Sequence, residues 1–344
     1  MNLNHQTKMW VILISLWVIN GSRFLVIKVA IDTIPPLLSA GLRFSIAGAI
    51  LFTVYFLQVN TYRLWDHHDP MHSQEIPEPE QQIRAPVLVP RERISIKQWK
   101  DSLILGVTLF LGGQGLLTWG AQYLTSGMTG LLNSTIPLWV AIIGYLIYRW
   151  FKKDTIGKKM SRGTILGLVA GFGGLMLLVG PSIGSGDLNP IGTVALIISS
   201  ISWAIGSIYS TRAQLPVSIL ASAGMIMITG GLMLTGVSFI FGEYKDLMQV
   251  SIQSIVAQIY LIGIITVVGF TDFYWLLRVI SASLANTFAY ISPVIAVLLG
   301  VAVLHENLTL ITVIAMVIIL AGVALMVTKK KAPGKSKQSS LVDY

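Results

Sequence analysis

The chain has 344 residues, 54% of them hydrophobic and 11% charged, with no cysteine and a formal net charge of +9. A soluble chain carries about 25% charged residues, so this composition excludes a disordered chain, a collagen and an ordinary cytosolic enzyme. It leaves a polytopic membrane protein, and the missing cysteines remove disulfides, thiolate metal sites and cysteine nucleophiles.

A membrane-crossing helix needs about 20 mostly apolar residues. Ten stretches meet that demand, and their long continuous runs favour helices over the short alternating segments of a barrel. The first, 10–27, lacks the charged start and cleavage site of a signal peptide and is expected to stay in the membrane; it carries Asn20 and Arg23. The second, 37–57, carries Arg43 seven residues in, too deep for easy snorkelling.

A polar stretch, 58–98, holds five of the 13 prolines and reads as a disordered insertion. Its Asp66, His67, His68, Asp69 and His72 could ligate a metal, but such spacing in a flexible segment is a weak signal, and no metal site is expected. The third stretch, 102–122, contains Gln114 and Trp119, and the fourth, 127–148, contains Asn133 and Pro137. In the fifth, 163–180, Gly163, Gly167 and Gly171 form a ridge of small residues, read as close packing within the protomer in preference to a dimer seam.

The sixth stretch, 191–211, has Trp203, the seventh is 217–241, and the eighth, 255–277, has Asp272, Tyr274 and Trp275. The ninth, 282–304, holds Asn286, Tyr290 and Pro293 and is followed by His305 and Glu306; the tenth is 309–328. A basic tail, 329–344, ends the chain.

Ten crossings put both termini on one side. With the amino terminus cytoplasmic, 20 of the 24 lysines and arginines fall inside; only Lys28 and Lys245 fall outside, and Arg23 and Arg43 lie within spans. The positive-inside rule therefore fixes the expected orientation. It also explains the basic pI without a nucleic-acid partner and sets the tail against the anionic inner leaflet.

The two halves of the chain resemble one another. At an offset of 156, Trp119 aligns with Trp275 and Pro137 with Pro293; at 148, Gly167 and Gly174 align with Ala315 and Gly322. Five helices per half makes the second half enter the membrane upside down. The charges agree: Arg149, Lys152 and Lys153 follow the fourth stretch, whereas no Lys or Arg stands at the matching end of the ninth. The expected fold is an all-α integral membrane protein of ten transmembrane helices in two inverted five-helix repeats, 1–180 and 190–328. Inverted repeats are the architecture of alternating access, with a site near the midplane.

The segments 27–52, Trp119–Pro137, Trp275–Pro293 and 304–327, in this order, resemble the EamA-type transporters of the drug/metabolite transporter superfamily. The resemblance covers nearly all of the chain except 58–98 and the tail. It implies ten helices in two inverted repeats with both termini cytoplasmic, and export or exchange of small metabolites across a bacterial cytoplasmic membrane. It further implies a central cavity lined by helices one to four and six to nine, with five and ten outside. The insertion 58–98 is longer than typical, and the Gly-Ser step after the first Trp is displaced and followed by Arg23.

No enzyme constellation or nucleotide loop can be assembled, and no cofactor is expected; GFGG at 171–174 lies inside an apolar helix and reads as packing. A charge inside a span costs about 2.5–3.5 kcal/mol on insertion scales and should face protein or a water-filled cavity. Arg23, Arg43 and Asp272 are such charges and are candidates for the solute site; Arg43 reads either as a substrate-anion or gating contact or as half of a structural ion pair. Asp272 reads as a proton carrier, a partner for Arg23, or an inner-mouth residue near Arg278. Asn20, Gln114, Trp119, Asn133, Trp203, Tyr274, Trp275, Asn286 and Tyr290 are candidates to line the solute site, with interfacial anchoring or interhelical bonding as the other reading. Pro137 and Pro293 sit mid-span and each remove a backbone donor, which reads as an ordinary kink or, given their symmetry, as a gating role; for His305 and Glu306 the resemblance implies a cap or outer-gate contact.

The expected function is a secondary transporter for an amino acid, a similar metabolite or a drug-like compound. Its expected partners are the solute, the bilayer and, as a candidate coupling ion, the proton. The alternative is a membrane receptor or scaffold acting through 58–98.

Overall fold

The computed structural model describes residues 3–66, 94–151, 162–185, 189–245, 250–279 and 288–327. Helix α1 is Leu3–Ala30 and α2 is Pro36–Asp66. Helix α3 runs Ile96–Leu105, widens into a π-helical stretch Gly106–Gly115, and closes as Leu116–Ala121. Then come α4 (Ser126–Asn133), α5 (Ile136–Phe151), α6 (Arg162–Ser185), α7 (Pro190–Ser210) and α8 (Ile219–Ile240). Helix α9 likewise has three parts, Ile252–Tyr260, a π-helical Leu261–Val268 and Gly269–Val279; α10 is Phe288–Leu304 and α11 is Leu310–Val327. Among the described residues, seven helices are long and apolar enough to cross a membrane, and the shorter apolar helices Ile165–Leu177, Ile291–Leu304 and Leu310–Gly322 add to them.

The helices start where side chains can cap them. Ser95 and Gln98 form a capping box at α3, Thr125 caps α4, Asn189 caps α7 ahead of Pro190, Ser218 caps α8 and Ser251 caps α9. Ser95 and Ser251 stand 156 residues apart, as do Trp119 and Trp275. The π-helical stretches of α3 and α9 fall at nearly the same offset.

Two boundaries differ from the sequence expectation. The insertion is shorter than 58–98: α2 continues to Asp66, because residues 58–66 contain neither proline nor glycine to stop it, and the Ser95 box starts α3 before residue 98. Of the segment's metal-ligand candidates, His67, His68, Asp69 and His72 and the Asp66 side chain lie outside the described residues. Pro137 does not kink a continuous helix. The chain breaks at Ser134–Thr135, and Pro137 sits in the first turn of α5, where its missing N–H costs nothing; Pro293 lies inside α10.

Between helices in lipid there is little hydrophobic drive, so close backbone approach and Ser/Thr bonds hold them together. A Cβ on Gly322 of α11 would come within 2.7 Å of the Gly167 carbonyl and the Gly171 amide of α6, and Gly174 faces Ala315. The glycine ridge thus packs within the chain. On α2 and α8, Gly41 meets Thr235, Ser45 meets Gly231 and Gly48 meets Gly224. In both pairs rising numbers on one helix meet falling numbers on the other, so each pair is antiparallel. Helix α1 lies against α9 and α10, and α7 lies against α3, α4 and α5; α2 touches α9 while α8 touches α3.

The Ser199 and Ser202 hydroxyls of α7 donate to the Gly113 and Thr108 carbonyls of α3, at 2.6 and 2.8 Å, serving acceptors in its π-helical stretch. Apolar side chains such as Val169, Met176, Ile240, Leu310 and Val317 point outward, as on a lipid-facing surface.

Candidate functional site

One end of the bundle carries the loops 31–35, 122–125 and 305–309 and is called here the Glu306 end; the other, near Lys8 and Arg149, is the basic end. At the Glu306 end, charged side chains complete helix termini. The chain turns left-handed at His305 (φ 54°), and the Glu306 amide donates back to the Gly300 carbonyl at 3.1 Å. This aims the Glu306 carboxylate at the start of α4, where it accepts from the Ser126 amide (2.6 Å), the Ser126 hydroxyl (2.9 Å) and the Gly127 amide (3.3 Å). An anion at a helix N-terminus satisfies orphan donors and the helix dipole together.

Lys28 complements it. Its ammonium donates to the Ala121, Gln122 and Leu124 carbonyls at 3.0, 3.1 and 2.7 Å, at the carboxyl end of α3. The α3–α4 turn is thus clasped from both sides, by α1 and by the α10 end. Glu243 does the same for α2, accepting from the Leu38 amide and the Ser238 hydroxyl, each at 2.9 Å. A cavity of about 1150 Å³ opens at this end, lined among others by Lys28, Asp32, Thr125, Ser251, Glu306 and Asn307.

Deeper in the bundle the charges meet different surroundings. Ser39 of α2 and Gln258 of α9 form a buried reciprocal pair (2.6 and 2.8 Å) that sets the register of the two helices. Arg43 is four residues beyond Ser39, whereas its partner Thr266 is eight beyond Gln258, so the Arg43 side chain runs about one turn further into the bilayer. Its Nε donates to the Thr266 hydroxyl at 2.8 Å, and that hydroxyl donates to the Leu261 carbonyl at 2.7 Å inside the π-helical stretch. Arg43 is 5% exposed.

On α1, Ile19 packs at Gly269 of α9, 3.2 Å from where a Cβ would stand, so Arg23, one turn on, comes level with Thr266; its buried Nε has no hydrogen-bond partner. Each guanidinium lies over the ring of the phenylalanine that follows it, at 4.6 Å for Phe24 and 4.8 Å for Phe44. Among the described residues, neither has a carboxylate within ion-pair distance. The rings continue from Phe44 to Phe110 (4.5 Å) and from Phe110 to Trp203 (6.5 Å), which joins Arg43 to α3 and α7.

The structure thus brings together Arg23, Arg43 and, through Phe110, Trp203. Gln114 is buried on α3 with its Oε1 unpartnered. Asn20 donates to the Leu16 carbonyl of its own helix, and Asn133 lies half-buried at the end of α4. Trp119 sits elsewhere, edge-on to Tyr123 in a cleft with Asp32 and Glu243 at the Glu306 end. Trp275 sits at the basic end under the Lys8 ammonium, 5.5 Å from the ring centre. Asp272 accepts from Ser15 at 3.4 Å. Ser15 is eight residues from Arg23 along α1, so the Asp272–Arg23 pair open from the sequence is replaced by this contact. Asn286 and the side chains of Tyr274 and Tyr290 lie outside the described residues.

Sequence reasoning did not single out Lys28, Glu243, Thr266 or the Ser39–Gln258 pair. The signals for the first two are a basic residue in the last turn of an apolar helix and an acidic one just past the end of another; nothing marks the others. No group of three or more His, Cys, Asp or Glu that could hold a metal occurs among the described residues.

The family model described as the EamA-like transporter family matches residues 83–180 and again 190–328. The chain is 30% identical over 319 residues to a protein of Escherichia coli K12 described as the uncharacterized inner membrane transporter YedA, covering 92% of this chain and 90% of that one. It is 26% identical to the uncharacterized transporter YoaV of Bacillus subtilis, over 90% of this chain and 94% of that one. A crystal structure at 16% identity superposes with a TM-score of 0.55 over 93% of this chain and 97% of that chain, a likeness of fold. With the family matched twice along the chain, and with apolar helices throughout, this protein belongs to the EamA-like transporter family and is a membrane transporter built of transmembrane helices.

Proposed function

We propose that the protein is a secondary transporter of a small metabolite, with an exporter or exchanger as the form its sequence resemblance favours. It works by alternating access between two inverted five-helix repeats, 1–180 and 190–328, with both termini on the cytoplasmic side of a bacterial cytoplasmic membrane. The observation that carries this reading is the antiparallel fit of α2 on α8 and of α6 on α11. Each pair joins a helix to its counterpart in the other half, as a pseudo-twofold axis in the membrane plane requires. The caps Ser95 and Ser251 and the paired π-helical stretches support the same axis.

On this reading the Glu306 end faces outward and the large cavity there is the outer approach. The solute site lies beneath it, at Arg23 and Arg43 and along the ring run that leads from Arg43 to Trp203. The clasp of Lys28 and Glu306 on the α3–α4 turn is the outer gate, and the Ser134–Thr135 break before Pro137 is the hinge that lets α4 move. Asp272, near the opposite end, is the candidate proton carrier.

The absence of cysteine permits a direct test. Single-cysteine variants Arg149→Cys and Asn307→Cys should be labelled by an impermeant maleimide from opposite faces of intact cells; labelling from one face refutes the inverted repeat. Proteoliposomes loaded with a panel of radiolabelled amino acids, organic acids and sugars should show saturable counterflow for at least one. Flux no greater than in empty liposomes across the panel refutes the metabolite-transporter reading.

A further inference from the structure

We propose, building on the transporter reading, that the solute carries an oxyanion, a carboxylate or phosphate ester, and that this group docks between the guanidiniums of Arg23 and Arg43. Two cations converge on one level of α9: Arg43 bonds Thr266, and Ile19, one turn before Arg23, packs at Gly269, one turn beyond Thr266. Among the described residues they share no acidic partner, and the buried Arg23 Nε has no acceptor of any kind. A structural ion-pair network would supply a carboxylate here. Glu306 and Glu243 are engaged on helix termini at one end of the bundle, and Asp272 on Ser15 towards the other.

The local contacts hold the arginines in place without neutralising them. Thr266 takes one Arg43 N–H, and Phe24 and Phe44 lie against the guanidinium faces. The planar fork of a guanidinium matches the paired oxygens of a carboxylate or phosphate, which a spherical halide cannot engage in the same way. The aromatic run Phe44–Phe110–Trp203 provides an apolar wall for the rest of an organic solute. The missing counter-charge therefore arrives with the solute.

The test uses the purified full-length protein in phosphatidylcholine nanodiscs. Thermal unfolding is followed against succinate and glycerol 3-phosphate, with succinamide, glycerol and sodium chloride as controls at matched ionic strength. At least one oxyanion should raise the midpoint saturably while its neutral analogue does not. Arg23→Gln and Arg43→Gln should each raise the half-saturating concentration about tenfold or more. Thr266→Val removes the Arg43 hydrogen bond but keeps both charges, and should retain anion binding. Arg23→Gln breaks no hydrogen bond at Nε, so it guards against simple misfolding of the Arg43 variant.

The proposal is overturned if neutral analogues bind as well as the anions, if chloride alone reproduces the shift, or if the arginine variants bind as the parent does. It also falls if replacing the lipid with phosphatidylglycerol abolishes the shift, since the headgroup is then the occupant. Failure of the transporter reading is separable. Saturable counterflow of a neutral solute that survives both arginine variants keeps the carrier and removes the anion site. An anion-dependent shift with no counterflow of any solute keeps the anion site and removes the carrier.

Discussion

Lys28 and Arg23 lie five residues apart on one helix, yet their charges meet opposite circumstances. The Lys28 ammonium has three carbonyl acceptors at the end of α3; the buried Arg23 Nε has none. The acids divide in the same way. Glu306 accepts three hydrogen bonds at the start of α4, whereas Asp272 receives one long contact from Ser15. Charges at the Glu306 end are consumed in finishing helices, while charges inside the bundle are positioned but not neutralised. On the proposed reading the first group acts on stability and the second on what the bundle can bind.

That division predicts effects of opposite sign. Glu306→Ala strands the Ser126 and Gly127 amides beneath the α10 end and should cost about 3 kcal/mol, read from denaturant unfolding of the protein in micelles. Gly300→Ala should approach the same loss without touching a charge, because its Cβ would strike the Glu306 carboxylate and the Ser126 hydroxyl. If either variant is as stable as the parent, the clasp is not a stabilising element. Lys28→Met should cost less, about 2 kcal/mol, because released carbonyls at this wet end can turn to water. The double variant Lys28→Met/Glu306→Ala should lose less than the two single losses together, since both side chains hold one turn. Strict additivity would mean that the two ends of the turn open independently.

Arg23→Met probes the other region and should move stability upward. It removes a desolvated charge and its repulsion from Arg43, breaks no hydrogen bond at Nε, and keeps most of the side-chain volume. A gain of about 1 kcal/mol in the solute-free protein is expected, in the same unfolding assay. A loss as large as that of Lys28→Met would show that Arg23 has an acceptor in the membrane and that the two regions do not differ as described.

Much of this architecture is legible in the chain itself. Continuous apolar runs locate the helices, because a bilayer demands them, and the 156-residue offset linking Trp119 to Trp275 also links the helix caps Ser95 and Ser251. What cannot be read is where a charge points. Arg43 is visible as an intramembrane cation, but its reach into the bundle depends on the Ser39–Gln258 register and on a hydroxyl 223 residues away. Glu243 and Lys28 look like ordinary loop and helix-end residues until three-dimensional packing sets helix termini beside them. The π-helical stretches of α3 and α9 are equally silent, because their widening is answered by hydroxyls on α7 and by Thr266. Trp119 and Trp275, which residue type alone offers to a central site, lie at opposite ends of the bundle.

Asp272 gives the smallest expected change in stability and the sharpest functional one. Its carboxylate has a single hydroxyl contact at 3.4 Å, half-buried on the α1-facing side of α9, so Asp272→Asn keeps the shape and can keep that contact. Unfolding should shift by under about 0.5 kcal/mol. If this group carries the coupling proton, the variant can no longer alternate between charged and neutral forms. Solute flux in proteoliposomes should then lose its dependence on an imposed pH gradient while exchange at equal pH continues. A parent protein that responds to the gradient and an Asp272→Asn protein that responds identically would remove Asp272 from the coupling path and leave facilitated exchange as the mechanism.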